Sequence, residues 1–472
     1  MLLDVTALLS SANPNAVAEA FSVLASQHPV AVVETVALTT EQTAFHATLD
    51  RAEAAANGPA ADGTAAGPVS GPQPAAIVVA PPAKVPASRL TTMRGLPLLQ
   101  QLGLLSRSQL TDFATKHADV LATLSSRPPV AADVRAWWTG IPTAKQKDLL
   151  AAAPRVVGNL EGVPYPVRDR ANRSSLSRAE AQIRQQLEAG QGRAAGDELT
   201  RRLHMLQQVR SSLTAGASHD ARELIGLDPS GDGTAVITIG DVTTADYVGY
   251  LIPGMFSSVD TQIVKFAESA QQIADDQNRM LRTLEPATAD EPAPTAAVVA
   301  WIGYHTPNIS NVGSLDLAEQ AQKSLTASVA GLRASRPGNE PFVSLMAHSY
   351  GSTAALLALQ SGGLSVDALA ICGSPGSPAQ NVSQLSVANG NVWVGAASWD
   401  PVAQTGAFGS RPSSASFGAH RFGVDGATDP LTGRKLAAAT SHIEYFVPGT
   451  ESLRNIELIG IDRGDLVLRA GA

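Results

Sequence analysis

The segment from Phe342 to Gly351 constrains the fold of this chain more than any other. A short apolar run, Phe342–Met346, leads into Ala-His-Ser-Tyr-Gly at positions 347–351, and an alanine-rich, helix-forming segment follows at once. The small residues Ala347 and Gly351 stand two positions before and after Ser349, where a tight strand-to-helix turn leaves no room for larger side chains. The succession of strand, turn and helix therefore predicts a nucleophile elbow with Ser349 at its tip, although Ala347 departs from the stricter glycine pattern.

Strands and helices alternate through the second half of the chain. Amphipathic helices are predicted at Thr261–Leu284 and Leu315–Leu332. Short apolar strands are predicted at Ala235–Ile239, Tyr247–Ile252, Ala296–Ile302, Phe342–Met346, Val366–Ile371, Val392–Ala397 and His420–Val424. Near-continuous apolar strands separated by helices indicate an α/β fold, with a mostly parallel sheet that helices cover on both faces.

The segments before the sheet differ in composition. Residues 1–53 are expected to form a small helical segment. Residues 54–89 are mostly Ala, Gly and Pro, a composition that buries too little apolar surface to fold, so we interpret them as a linker. Apolar residues recur at helical intervals through residues 90–214. We expect this helical region to pack on a catalytic domain at residues 215–472.

Composition limits the classes of partner and location. The 472 residues are 44% hydrophobic and carry a net charge of −8, so nucleic acid is an unexpected partner. Cys372, the single cysteine, lies in an apolar run and predicts a buried, inert thiol without an internal disulfide. No transmembrane run and no signal peptide are visible. A cytoplasmic location is the default expectation. Secretion stays open, because a chain trimmed of its leader would look the same.

A serine nucleophile needs a base to take its proton and an acid to orient that base, and in an elbow of this type the chain order is serine, acid, histidine. Only His420 and His442 follow Ser349, and no glutamate separates Ser349 from His442. The aspartates in that interval are Asp367, Asp400, Asp425 and Asp429. The candidates are therefore limited to four aspartates for the acid and two histidines for the base.

Position along the predicted sheet selects among these residues. Asp400 follows the strand Val392–Ala397, at the edge where open α/β sheets bind ligands, and is the predicted acid. Asp367 begins a strand at the opposite edge, whereas Asp425 and Asp429 lie in a glycine-containing turn. His442 lies in a loop before an apolar stretch and is the predicted base. The alternative base, His420, suits a strand end better.

Further residues are expected around the serine. One oxyanion donor should be the backbone N–H of Tyr350, which follows the nucleophile. The other should come from the loop after the third strand, where Gly254 allows close approach and Met255 supplies an N–H; Gly303 and Tyr304 are the alternative. Possible pocket residues are His348, Tyr304 and His305. Residues 403–418 could form either a mobile lid or an ordinary surface loop.

Two other chemistries have recognisable motifs that the sequence lacks. There is no His-Glu-x-x-His zinc motif and no Gly-x-x-x-x-Gly-Lys phosphate loop, and the histidines show no close pair at metal-ligand spacing. We therefore predict no cofactor and no metal.

The chain resembles a family of actinobacterial α/β-hydrolases of largely unknown substrate that carry a helical N-terminal extension. The resemblance covers about residues 130–450 and leaves residues 1–88 outside. It is carried by Gly158–Pro164, Arg168–Arg173, Gly240-Asp241, Ala245-Asp246, Ile252–Met255, Trp301–Tyr304, Ala347–Ser352, Gly373–Gly376, Ser441-His442 and Tyr445-Phe446. It implies the α/β-hydrolase fold and a triad of Ser349, Asp400 and His442, but no particular substrate.

These features predict a serine hydrolase that cleaves a carboxylic ester through an acyl-enzyme intermediate, acting on a small-molecule or lipid-like ester. An amidase or peptidase with the same triad is the first alternative. The second is a catalytically silent scaffold of the same fold that serves for binding.

Overall fold

The computed structural model describes residues 85–190, 192–216 and 221–471. The helical segment expected at 1–53 and nearly all of the linker expected at 54–89 lie outside these residues. Helices fill the region before the sheet, as their apolar spacing predicts. They are α1 Ala87–Leu90, α2 Gly95–Leu104, α3 Arg107–Lys116, α4 Ala118–Ser126, α5 Ala131–Gly140, α6 Thr143–Ala152, α7 Pro154–Gly158, α8 Tyr165–Glu188 and α9 Arg193–Ser212.

Buried polar contacts join this helical region to the sheet. Arg168 in α8 forms a buried, two-point ion pair with Glu161. The neighbouring Asn172 donates from Nδ2 to the carbonyl of Leu224, and Asp169 Oδ1 accepts the N–H of the same residue over 2.7 Å. Because Leu224 lies in the first strand, these bonds hold α8 against the edge of the sheet. A buried polar group left without its partner costs about 1–3 kcal/mol. A shift of α8 along the first strand would break these hydrogen bonds, so they also fix the position of the helix relative to the strand.

Eight strands form one sheet in the order β1-β2-β4-β3-β5-β6-β7-β8. The pairs β1–β2 and β2–β4 are antiparallel, and all the others are parallel. The strands are β1 Arg222–Asp228, β2 Thr234–Ile239, β3 Tyr247–Ile252, β4 Ala296–Ile302, β5 Phe342–His348, β6 Ala368–Cys372, β7 Val392–Gly395 and β8 His420–Arg421; β9 Ala427–Thr428 and β10 Lys435–Leu436 form a separate hairpin.

Helices cover both faces of this sheet, which confirms the predicted architecture. On one face, α10 Val259–Leu284 and α13 Glu451–Gly460 pack with α9 against side chains from β2, β4 and β6. On the other, α11 Asp316–Ser335 and α12 Tyr350–Gln360 pack against the alternate side chains. Among the described residues, none of these helices combines the length and the apolar character that a membrane crossing requires.

The structure differs from the predicted strands at several places: β7 ends at Gly395 rather than Ala397, β8 ends at Arg421 rather than Val424, and two further differences concern β1 and β6. The first strand, β1, was not predicted, because Arg222, Glu223 and Gly226 interrupt its apolar pattern. The sixth begins at Ala368 rather than Val366, which makes only an isolated bridge to Val387. None of these differences changes the edge of the sheet at which β3, β5 and β7 end. Three loops that carry predicted site residues therefore meet at that edge.

Candidate active site

Ser349 is the single residue between β5 and α12. Its backbone has φ 53° and ψ −131°, a conformation that costs on the order of 1–3 kcal/mol for a residue with a side chain. Its N–H donates to the carbonyl of Cys372 over 3.0 Å, which anchors the turn to β6. At Gly351 a Cβ would meet the carbonyl of Pro253 and would lie 2.9 Å from that of Ile252, so only glycine fits there. The turn thus presents the Ser349 hydroxyl at the edge of the sheet.

A continuous hydrogen-bond chain joins the serine to an acid. Ser349 Oγ lies 2.9 Å from His442 Nε2. On the far side of the ring, His442 Nδ1 lies 2.9 Å from both carboxylate oxygens of Asp400. The carboxylate can only accept, so Nδ1 carries the proton and Nε2 is free to accept the serine O–H. All three residues are buried.

Asp400 is held as a carboxylate although it is fully buried. Its Oδ1 accepts the N–H of Val402 over 2.9 Å and that of Ala403 over 3.2 Å. Burial by itself would raise the pKa of Asp400. The neighbouring His442 and the hydrogen bonds to the carboxylate outweigh this effect and leave the pKa below its ordinary value.

Tyr445 is a fourth side chain in this chain of hydrogen bonds. Its hydroxyl donates to Asp400 Oδ2 over 2.7 Å and accepts the N–H of Ala397 over 2.8 Å. The ring is fully buried, and burial followed by the nearby Asp400 charge raises the pKa of the phenol. Tyr445 belongs to a motif that carries the family resemblance, but the sequence alone does not predict a role for it. Its position three residues after His442 was the available signal.

His348 packs against His442. Its Nε2 donates to the backbone carbonyl of His442 over 2.7 Å, and the two rings lie 4.6 Å apart between centroids. Burial, followed by the proximity of His442, lowers the pKa of His348 to about 3. His348 is therefore neutral near pH 7 and contacts His442 rather than the serine hydroxyl.

The loop after β3 lies directly against the serine. A Cβ at Gly254 would be 2.6 Å from Ser349 Cβ and 3.1 Å from Ser349 Oγ, so a glycine is needed for this approach. In the described part of the chain, the N–H groups of Met255 and Tyr350 are donated to no other backbone carbonyl. That of Tyr350 belongs to the first turn of α12, where helices leave such groups without an internal partner.

Tyr304 supports this loop from behind. Its hydroxyl donates to the carbonyl of Pro253 over 2.7 Å, and its ring stacks on Trp301 at 5.8 Å between centroids. The structure therefore joins Tyr304 to the loop through its side chain. His305 is half-buried near the β1–β2 turn, where a Cβ at Gly231 would be 3.7 Å from His305 Cε1. No hydrogen bond among the described residues links His305 to the serine chain.

The alternative base and acids lie elsewhere. His420 is exposed at the start of β8, and its ring lies 4.8 Å from that of Trp393. Asp367 accepts the N–H of Val343 over 2.7 Å at the other edge of the sheet. Asp425 is exposed, while Asp429 pairs with Arg454 over 2.9 Å. Within the described residues, none of these four side chains forms a hydrogen bond or ion pair with Ser349.

Residues 403–418 are fastened to the segment that follows β6. The N–H of Phe408 donates to Pro375 and that of Ser410 donates to Ser377 over 3.0 Å. The Phe408 ring meets Tyr350 edge-on at 5.7 Å. These contacts hold the loop against the residues that follow β6 and against the start of α12.

Two further observations concern reactive groups. Within the described ranges, no group of three or more His, Cys, Asp or Glu residues is arranged to hold a metal ion. The Cys372 thiol is buried, and burial followed by the Asp400 charge raises its pKa well above the ordinary value.

Comparisons with known proteins concern the family of the chain. A family model described as alpha/beta hydrolase matches residues 228–410. An uncharacterized protein of Mycobacterium tuberculosis strain H37Rv is 28% identical over 384 residues, which are 72% of this chain and 57% of that protein. A second uncharacterized protein of that strain is 30% identical over 221 residues, 45% of this chain and 80% of that protein. The chain thus spans little more than half the length of the first of these relatives.

Solved structures show only a distant likeness. Carboxyl esterase 2 from Tuber melanosporum is 12% identical, with a TM-score of 0.29, and the match covers 53% of this chain and 89% of that one. A dienelactone hydrolase from Anabaena variabilis is 14% identical, with a TM-score of 0.25, and the match covers 38% of this chain and 77% of that one. By its family model and its mycobacterial relatives, the chain belongs to the α/β-hydrolase family.

Proposed function

We propose that this protein is a serine hydrolase that cleaves a carboxylic ester through an acyl-enzyme intermediate. The observation that carries the proposal is the buried hydrogen-bond chain from Ser349 through His442 to Asp400, with Gly254 packed against the serine. Each link has the length and the direction of proton transfer that acyl transfer by serine requires.

In the first half of the reaction, Ser349 Oγ attacks the carbonyl carbon of the ester while its proton passes to His442 Nε2. Asp400 stabilises the imidazolium that forms. The oxygen of the tetrahedral intermediate becomes negative and accepts hydrogen bonds from the N–H groups of Tyr350 and Met255. Each such donor contributes about 3 kcal/mol to the transition state.

In the second half, the carbon–oxygen bond to the alcohol breaks and His442 gives its proton to the leaving oxygen. Water then attacks the acyl-enzyme, with His442 taking its proton; as the second intermediate collapses, His442 returns this proton to Ser349 Oγ and the acid is released. No other reactant is needed.

The proposal is tested by labelling the purified protein with a fluorophosphonate and locating the adduct by mass spectrometry. We expect modification of Ser349 and turnover of a short acyl ester, both lost in Ser349→Ala. Ser361→Ala is the matched control, because Ser361 lies at the far end of α12 and its hydroxyl donates to the carbonyl of Ala358, away from the elbow. Turnover that persists in Ser349→Ala would reject the nucleophile, and an unlabelled, inactive protein would favour a silent scaffold. A parallel assay with the corresponding amide distinguishes an amidase.

A further inference from the structure

Large apolar side chains are exposed at the edge of the sheet that holds the candidate active site. The most exposed is Trp399, with 84% of its surface accessible. In the part of the chain that the structure describes, exposed large apolar side chains at this edge are Phe256, Ile309, Trp399, Ile443 and Val447. Two other exposed large apolar side chains, Val130 before α5 and Leu431 between β9 and β10, lie outside the loops at this edge. We call the five residues at the edge the apolar rim.

Three residues of the apolar rim are close in sequence to residues of the candidate active site. Trp399 precedes Asp400 and Ile443 follows His442 in the sequence. Because Asp400 and His442 are hydrogen-bonded to each other, Trp399 and Ile443 lie on adjoining loops. Across the serine, Phe256 stands two positions after Gly254, which contacts Ser349. The rim therefore borders the site on both sides of the serine.

The loops that carry the rim are ordered by hydrogen bonds. The N–H of Phe256 donates to the carbonyl of Pro307 over 3.1 Å, which joins the loop after β3 to the loop that carries Ile309. Glu444 accepts the N–H of Thr440 over 2.7 Å and that of Ser441 over 3.1 Å, which fixes the loop of Ile443 and Val447. Clustered apolar side chains held outward in this way mark an interaction surface, whereas single ones are common on any protein.

Charge indicates what the rim contacts. Residues 253–258, 303–315, 396–419 and 439–450, the loops around the rim, contain a single basic residue, Arg411, and the whole chain has a net charge of −8. An anionic membrane attracts clusters of basic residues, and these loops contain no such cluster. A surface that is apolar and uncharged fits the rim better.

We propose that the apolar rim docks this protein on the surface of an uncharged, aggregated lipid ester, so that a water-insoluble acyl ester reaches Ser349 from that surface. The substrate class rests on the proposed ester hydrolysis, whereas the docking does not. Insertion of an indole and aliphatic side chains removes apolar area from water without bringing a charge into the lipid.

Docking is measured by flotation with triolein droplets coated with phosphatidylcholine. The Ser349→Ala protein is used throughout, so that hydrolysis cannot alter the droplets and the result is independent of catalysis. We expect the Ser349→Ala protein to float with the droplets. Adding Trp399→Ser to this protein should lower its partition coefficient about tenfold, on the scale of burying one large apolar side chain. Ile443→Ser should weaken it further.

Val130→Ser and Leu431→Ser are the matched controls, since both remove an exposed apolar side chain outside the rim. Equal loss in these controls, or unchanged flotation of Trp399→Ser, overturns the proposal. So does binding that requires phosphatidylglycerol in the coat and disappears with added salt, which would indicate an electrostatic membrane site. Self-association that Trp399→Ser abolishes, without droplet binding, would assign the rim to a protein contact instead. Droplet binding by a protein that hydrolyses no ester would leave the docking intact and reject the proposed function alone.

Discussion

Tyr445 donates its hydroxyl proton to Oδ2 of Asp400 over 2.7 Å, from a ring that is fully buried. Asp400 in turn meets His442 Nδ1 at 2.9 Å. The phenol is therefore linked to His442 through Asp400 and forms no hydrogen bond with Ser349. On the proposed mechanism Tyr445 is a positioning residue, because a carboxylate with an unpaired oxygen can rotate away from the imidazole.

The variant Tyr445→Phe keeps the ring and removes only this hydroxyl. We expect kcat for a short acyl ester to fall about tenfold, since a hydrogen bond to a charged group is worth about 1.5–3 kcal/mol. The hydroxyl lowers the pKa of Asp400, so its loss raises that pKa. The carboxylate then becomes protonated at a higher pH, and the acidic limb of kcat/KM moves upward.

The matched control for this prediction is Tyr250→Phe. Tyr250 is also fully buried in the sheet, but its hydroxyl donates to the carbonyl of Ser328. Both variants should lose some stability to urea, and only Tyr445→Phe should shift the pH profile. If the pH profile shifted by the same amount in both variants, the hydroxyl of Tyr445 would have no specific effect on Asp400, and Tyr445 would contribute only packing.

Removal of the charge on Asp400 tests the acid itself. Asp400→Asn keeps the shape of the side chain but no longer favours the Nδ1–H form of His442, so we expect kcat to fall on the order of ten-thousand-fold. Asp425→Asn should be neutral, because Asp425 is exposed and lies outside the hydrogen-bond chain. Steady-state rates at saturating ester check both variants. Comparable losses would show that the acid has been misassigned.

Much of the fold could be predicted from the sequence, because the parallel strands are short apolar runs with clear ends. The elbow was visible since steric demand restricts positions 347 and 351 to small residues. The grouping of Ser349, Asp400 and His442 followed from how few acids and histidines lie after the serine. The structure brings these three side chains together, while their roles remain predictions.

Other features depend on packing that a single sequence does not reveal. Strand β1 was not predicted because charged residues interrupt its apolar pattern, although its Leu224 and Ile225 are buried by packing against other elements. The hydroxyl of Tyr445 becomes informative only when the loop after His442 is placed beside Asp400. The apolar rim was equally hidden, because Trp399 and Ile443 are ordinary hydrophobic residues until their exposure is known.

His348 should make stability depend on pH. Its folded-state pKa of about 3 is below the ordinary value near 6.5, so between these values the unfolded chain binds a proton that the folded protein does not. Stability from this group is therefore complete above about pH 6.5 and is lost as the pH falls, by up to about 1.4 kcal/mol for each pH unit.

The variant His348→Phe preserves the ring contact with His442 and abolishes this titration. We expect its free energy of unfolding in urea to fall less steeply between pH 6.5 and pH 4.5 than that of the parent protein. The same variant loses the donor to the carbonyl of His442, so kcat should also decrease at pH 7. Parallel pH dependence in parent and variant would show that His348 does not titrate in this way.

Gly254→Ala tests the close approach between the loop after β3 and the serine. A methyl group there would be 2.6 Å from Ser349 Cβ, closer than side chains pack, so the loop must move away. The N–H of Met255 then moves with it, and we expect kcat to fall on the order of a hundredfold to a thousandfold, as for loss of one oxyanion donor. Gly196→Ala is the control, since a Cβ at that position in α9 meets nothing within 4 Å. Because both are glycine-to-alanine changes, equal activity in the two proteins would remove the loop after β3 from the oxyanion site and leave Gly303 and Tyr304 as the source of the second donor.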